Sequence, residues 1–125
     1  ALELGFERIK AAQAGLQRST RETELLRQTL ELELLQVYQQ LQNSRDRVLR
    51  VRNELLPRSL KLIEDTRRGY QLGQHSVLQW TDAQAQRFAL ERELIDLNYA
   101  IYLQLLELER ITGEPLAGVT EGDIL

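Results

Sequence analysis

The chain has 125 residues, the length of one ordinary domain, and its 16 basic and 19 acidic residues give a formal net charge of −3. So weak a charge argues against a general nucleic-acid binder. Leu supplies 26 residues whereas Pro occurs only twice, a composition that favours α-helix. Without Cys there is no disulfide framework and no thiolate metal site. The longest segment free of Asp, Glu, Lys and Arg, residues 69–81, is too short and too polar to predict a transmembrane helix.

A heptad pattern predicts a long first helix over residues 1–68. Its positions step alternately by four and three residues, as in the contact row of a coiled coil. We call these positions the Val48 row: Leu30, Leu34, Val37, Leu41, Ser44, Val48, Val51, Leu55, Arg58 and Leu62. Pro57 lies inside this helix, where it removes a backbone donor and presses on the carbonyl of Asn53. Because Arg58 and Leu62 continue the row in step, we expect a bend near Pro57 rather than a break.

A turn is predicted over residues 69–76. Gly69 or Gly73 can adopt the left-handed conformation that closes a helix, and for Gly73 we expect a positive φ. Ser76 with Gln79 three residues later has the pattern of a capping box, which marks the start of the next helix.

The return helix is predicted over residues 77–112, before Gly113, and a loosely ordered tail over residues 113–125. This helix carries two apolar rows. The Phe88 row is Leu78, Thr81, Ala85, Phe88, Arg92, Ile95, Tyr99, Tyr102 and Leu106. The Leu94 row is Ala83, Leu90, Leu94, Leu97, Ile101, Leu108 and Ile111. One antiparallel partner covers only one row, so a further helix must cover the other.

The predicted fold is therefore all-α, a long antiparallel helical hairpin of coiled-coil type. Folding about residue 73 brings Val48 level with Tyr99 and leaves residues 2–33 without a partner in this chain. We expect the surplus surfaces, residues 2–33 and the Leu94 row, to associate with further helices.

The residues predict neither an enzyme nor a cofactor or metal site, because the single His, His75, has no set of converging ligands around it. A basic patch, Arg45, Arg47, Arg50 and Arg52, has Asp46 and Glu54 interleaved with it and is more typical of a solvated helix face. Trp80, Tyr99 and Tyr102 occur at helical spacing, which is more typical of packing than of binding. If Trp80 were exposed, it would be an interface anchor.

The segment from Gly69 to Gln84, GYQLGQHSVLQWTDAQ, resembles the Tyr-x-x-Gly-x-x-Ser-x-Leu-x-x-x-Asp-Ala motif of the outer membrane efflux protein family, the TolC-like outer membrane factors. The segment LELERITG, ending at Gly113, is similar to the closing Leu-x-x-x-Thr-Gly of that family. Leu56-Pro57 is similar to the second repeat of its heavy-metal branch. The resemblance covers nearly the whole chain and is most specific at the turn.

The resemblance implies a passive periplasmic conduit: the helical part of one repeat, in a trimer whose long α-helical barrel continues an outer-membrane β-barrel. The turn would be the periplasmic tip that docks the adaptor of a tripartite efflux pump, with an inner-membrane pump as the further partner. Its implied docking residues are Tyr70, Gly73, His75, Ser76 and Trp80, and its implied aperture-lining residues are Gln79 and Asp82.

The alternative is a coiled-coil interaction module outside any channel, such as a periplasmic adaptor hairpin or a scaffold. The residues of this chain alone leave both readings open.

Overall fold

The computed structural model describes residues 2–114, with side chains from Glu7 onward. The helices are α1 (Leu2–Arg50), α2 (Leu56–Gln71) and α3 (Val77–Thr112), and a single π-helical turn, Val51–Leu55, joins α1 to α2. No β-strand occurs between residues 2 and 114. The fold is an all-α helical hairpin, as the sequence predicts. The tail predicted to be loosely ordered lies, from residue 115 onward, outside the described residues.

The chain divides into two units, Ala1–Gln36 and Val37–Leu125. In the first unit α1 is stabilised by local contacts. Arg27 pairs with Glu24 and Glu31, one turn away on either side, at 2.5 Å each. Leu16 and Leu32 expose more than half of their surface.

The second unit contains the hairpin, whose core is a line of small and branched side chains where α3 packs on the other arm. Val48 and Val51 have no exposed surface, and Val37, Ala83 and Ile101 are buried. Gln104 donates a hydrogen bond to the Ser44 hydroxyl at 3.2 Å. Residue 74 lies midway along the chain between Ser44 and Gln104, so the hairpin reverses close to the predicted centre at residue 73.

The row of α3 that packs in the hairpin is the Leu94 row, so the expectation that this row stays open for further helices is wrong. Ala83 and Ile101 are buried, and the members between them, Leu90, Leu94 and Leu97, are partly buried. The apolar members of the Phe88 row lie outward instead. Leu78, Phe88, Ile95, Tyr99, Tyr102 and Leu106 are all exposed. The prediction that Tyr99 and Tyr102 are packing residues is therefore wrong within this chain.

The first arm also departs from its predicted contact row, beyond the π turn. The backbone keeps right-handed helical dihedrals at Arg50, Leu55 and Leu56, so the helix is not broken at Pro57. However, Arg58 and Leu62 are exposed, and Ser59 and Thr66 are buried in their place. The prediction that the Val48 row continues in step through Arg58 and Leu62 is wrong, because the π turn adds one residue to the helical turn before Pro57.

Candidate functional site: the tip and the outer face of the return helix

The tip is closed by a Schellman motif built around Gly73. The Gly73 N–H donates to the carbonyl of Tyr70 at 3.0 Å, and the Gln74 N–H donates to the carbonyl of Gly69 at 2.7 Å. Gly73 has a φ of 74°, which confirms the predicted positive φ. Since an L side chain is strained in this conformation, Gly73 is the residue that lets the chain reverse here.

Gly69 has a different role, as a contact surface for the His75 ring. The His75 N–H also donates to the carbonyl of Gly69, at 3.1 Å. A Cβ built on Gly69 would lie 1.8 Å from Cδ2 of the ring, so the ring occupies the space that a side chain would fill. The sequence analysis considered Gly69 only as a helix-closing residue and missed this contact. No pattern in the sequence reports it, since the contact depends on the path of the turn.

Ser76 begins α3 with the predicted capping box, which the structure confirms. The Gln79 N–H donates to the Ser76 hydroxyl at 3.2 Å, and the Ser76 N–H donates to Oε1 of Gln79 at 2.8 Å. Gln79, an implied aperture residue, thus uses its side-chain oxygen to cap the helix. Asp82, the other implied aperture residue, is exposed one turn further along.

Trp80 is half-buried against Tyr70 and is not an exposed anchor. The two rings stack with centroids 5.7 Å apart and an interplanar angle of 28°. The indole Nε1 is buried and has no hydrogen-bond partner among the described residues. Tyr70 remains exposed. The stack joins the end of α2 to the first turn of α3, and so it holds the two sides of the tip together.

The tip also presents apolar side chains that the sequence analysis did not select. Leu72 and Val77 are exposed on either side of the turn, and Leu78 is exposed beside them. Their signal in the sequence was apolar residues within a polar turn. With Tyr70 they form what we call the tip surface: Tyr70, Leu72, Val77 and Leu78. Such a surface can bind an apolar face of a partner.

An ion pair links the arms of the hairpin. The guanidinium of Arg47 donates two hydrogen bonds to the carboxylate of Glu93, at 2.6 and 3.0 Å. These hydrogen bonds lower the pKa of Glu93 below its ordinary value and raise that of Arg47. Elsewhere in the basic patch, Arg50 lies 3.9 Å from Glu54. Arg47 and Arg50 therefore face carboxylates of the same chain.

Between residues 2 and 114 no three His, Cys, Asp or Glu side chains converge in a way that could hold a metal ion. No helix in the same range is both long and apolar enough to cross a bilayer. The chain matches no protein-family model, no curated protein and no solved structure. Function is therefore inferred from the chain's own residues and their arrangement.

Proposed function

We propose that the chain is the periplasmic helical part of an outer-membrane channel component, which serves as a passive export conduit in a tripartite efflux pump. The observation that carries the proposal is the outward Phe88 row. A hairpin that packs one apolar row internally and presents a second one outward is suited to stand beside other hairpins in a wall of helices. In a homotrimer these neighbours would be other helical segments of the same subunit and of the other two subunits.

The tip supports the second half of the proposal, the docking of a periplasmic adaptor. Its backbone is fixed by the Schellman motif, the capping box and the stack of Tyr70 on Trp80. A rigid turn loses little conformational entropy when a partner binds. The tip surface supplies exposed apolar area beside His75 and Gly73, and Asp82 supplies a carboxylate that would converge with its copies at an aperture.

The resemblance of residues 69–84 to the outer membrane efflux protein motif adds to these observations. It favours a periplasmic location and an outer-membrane assembly over a coiled-coil scaffold, whereas the hairpin alone is compatible with both. The same proposal assigns the chain to the heavy-metal branch of the family. Beside the channel and the periplasmic adaptor, the inner-membrane pump would be the third component of the efflux system.

The test of docking uses efflux-dependent resistance of cells that express the whole polypeptide, together with the amount of its trimer in the outer membrane. Leu72→Asp places a charge on the exposed tip surface and should abolish resistance while the trimer persists. Asn98→Asp adds the same charge at an exposed position in the middle of α3 and should leave resistance intact. Full resistance with Leu72→Asp would remove the tip from the mechanism.

The test of assembly is a count of subunits in the whole polypeptide extracted with detergent. We expect a homotrimer with a long helical barrel. A monomer, or a complex in which the hairpin inserts between β-rich domains of an adaptor, would overturn the channel proposal and favour the interaction module.

A further inference from the structure

The packing of α2 departs by one residue from the heptad pattern of its own sequence. Upstream, Val48 and Val51 follow the pattern and have no exposed surface. Downstream the pattern places Leu62 against the partner helix, but Leu62 is 42% exposed. The buried residues of α2 are Ser59, 7% exposed, Thr66, 8% exposed, and Gly69, which the His75 ring covers.

The π turn is the cause of this displacement. The N–H of Leu56 donates to the carbonyl of Val51, five residues earlier, whereas in an α-helix the N–H donates to the carbonyl four residues earlier. The π turn therefore contains one residue more than an α-helical turn. One residue corresponds to a rotation of about 100° around the helix axis. All of α2 is thus rotated by about that angle from the position that an uninterrupted α-helix would give it.

Pro57 explains why the π turn lies where it does. The proline has no N–H to donate, and in a regular α-helix its ring would press on the carbonyl of Asn53. The π turn ends at Leu55, two residues before Pro57, and the backbone is α-helical again at Leu56. The wider turn therefore lies where the ring of Pro57 would otherwise meet the preceding turn.

The observed register packs its interface incompletely. The hydroxyl of Ser59 is buried without a hydrogen-bond partner among the described residues, which costs free energy. A groove of about 210 Å³ remains beside it, lined by Leu55, Arg58, Ser59, Leu62, Gln86 and Leu90. Leu60 and Leu62 meanwhile stay exposed. The heptad register would turn Leu62 toward α3 and bring Ser59 to water.

We propose that α2 has two packing registers on α3, one residue apart, and that Pro57 selects the observed one. The π turn accommodates one extra residue. Without the proline this turn becomes α-helical, and α2 rotates to the heptad register. The observed register is the one in which Gly69 lies under the His75 ring, so Pro57 also sets the face that α2 brings to the tip. The two registers do not depend on whether the chain belongs to a channel.

Thiol labelling tests the proposal directly, because the chain contains no cysteine. Single Cys residues at positions 59 and 62 are introduced in the full chain, with and without Pro57→Ala. With Pro57 present, the thiol at position 59 should react slowly and the thiol at position 62 rapidly. Pro57→Ala should exchange the two, each rate changing several-fold in opposite directions. Arg58→Ala, an adjacent exposed substitution that keeps the proline, should change neither rate.

A second variant separates rotation from local unfolding. Deletion of Asn53 in the Pro57→Ala background removes the extra residue, so an uninterrupted α-helix then carries Ser59 to the packed side. The slow rate at position 59 and the rapid rate at position 62 should return. Unchanged rates in Pro57→Ala, or rapid labelling at both positions, would overturn the proposal, as would a deletion variant in which position 59 stays reactive.

Discussion

Two isoleucines on opposite faces of α3 provide a matched test of which row packs in the hairpin. Ile101 belongs to the Leu94 row and is 6% exposed, whereas Ile95 belongs to the Phe88 row and is 69% exposed. Both lie in the interior of the same helix, so an Ala substitution changes helix propensity equally at the two sites. Any difference between the two variants therefore reports packing.

The magnitude follows from the buried surface. Ile→Ala removes three carbon atoms, which contribute about 2.4 kcal/mol of transfer free energy when fully buried. A cavity adds to that loss, so Ile101→Ala should lower the free energy of unfolding by about 2–4 kcal/mol. Ile95 keeps most of its surface in water, and the better helix propensity of Ala offsets part of the remainder. Ile95→Ala should therefore change the free energy of unfolding by less than about 0.5 kcal/mol.

The assay is urea unfolding of the full chain, followed by circular dichroism at low protein concentration. Repeating it at high concentration asks whether chains associate through the Phe88 row, since Ile95→Ala should then lose stability only in the concentrated sample. Equal destabilisation by the two variants at low concentration, or a larger effect of Ile95→Ala, would refute the assignment of the Leu94 row to the hairpin interface.

Three further substitutions probe the turn, the ion pair and the aromatic stack. Gly73→Ala places a side chain at a φ of 74° and should destabilise the chain by about 1–2 kcal/mol in thermal unfolding. Gly15→Ala, in a helix with open space around it, should instead raise stability by up to about 1 kcal/mol. Because the pKa of Glu93 is lower in the folded state, its ion pair stabilises the hairpin above the ordinary value of 4.5 and loses that effect as pH falls through the lowered pKa. Glu93→Gln should weaken this acid sensitivity in denaturation followed from neutral to acidic pH. It should also increase the labelling rate of a Cys introduced at the buried position 59 more than Glu64→Gln does, because the arginine partner of Glu64 lies on its own helix. Trp80→Phe keeps a stacking ring and removes a buried donor that has no described partner, so it should preserve stability, whereas Trp80→Ala should lower it in the same thermal assay.

The ends of the helices could be read from the sequence because local chemistry sets them. Ser76 and Gln79 satisfy each other's backbone donors within one turn, and Gly73 and Gly113 take the positive φ that few other residues tolerate. The hairpin itself follows from the long apolar periodicity on both sides of one turn. These features do not depend on which residues are brought together by tertiary contacts.

The tertiary structure, and not the sequence pattern, determines which of the two rows of α3 packs in the hairpin. The Phe88 and Leu94 rows are both apolar at the same period, so periodicity could not rank them. The row with small or aliphatic members, such as Ala83 and Ile101, packs closely, and the row with large rings at Phe88 and Tyr99 lies outward. The aromatic stack and the contact of the His75 ring with Gly69 likewise depend on the path of the turn, which brings the end of α2 against residues that follow it.

In α2, too, the sequence determines one feature and the tertiary structure determines another. The sequence by itself determined that Pro57 must disturb the helix, because a missing donor and a ring clash are local properties. It did not determine that the disturbance would be a π turn, nor that Ser59 rather than Leu62 would be buried. Only the tertiary structure decided that, since the rotation of α2 must satisfy the packing at Val51, the proline ring and the turn at Gly69 together.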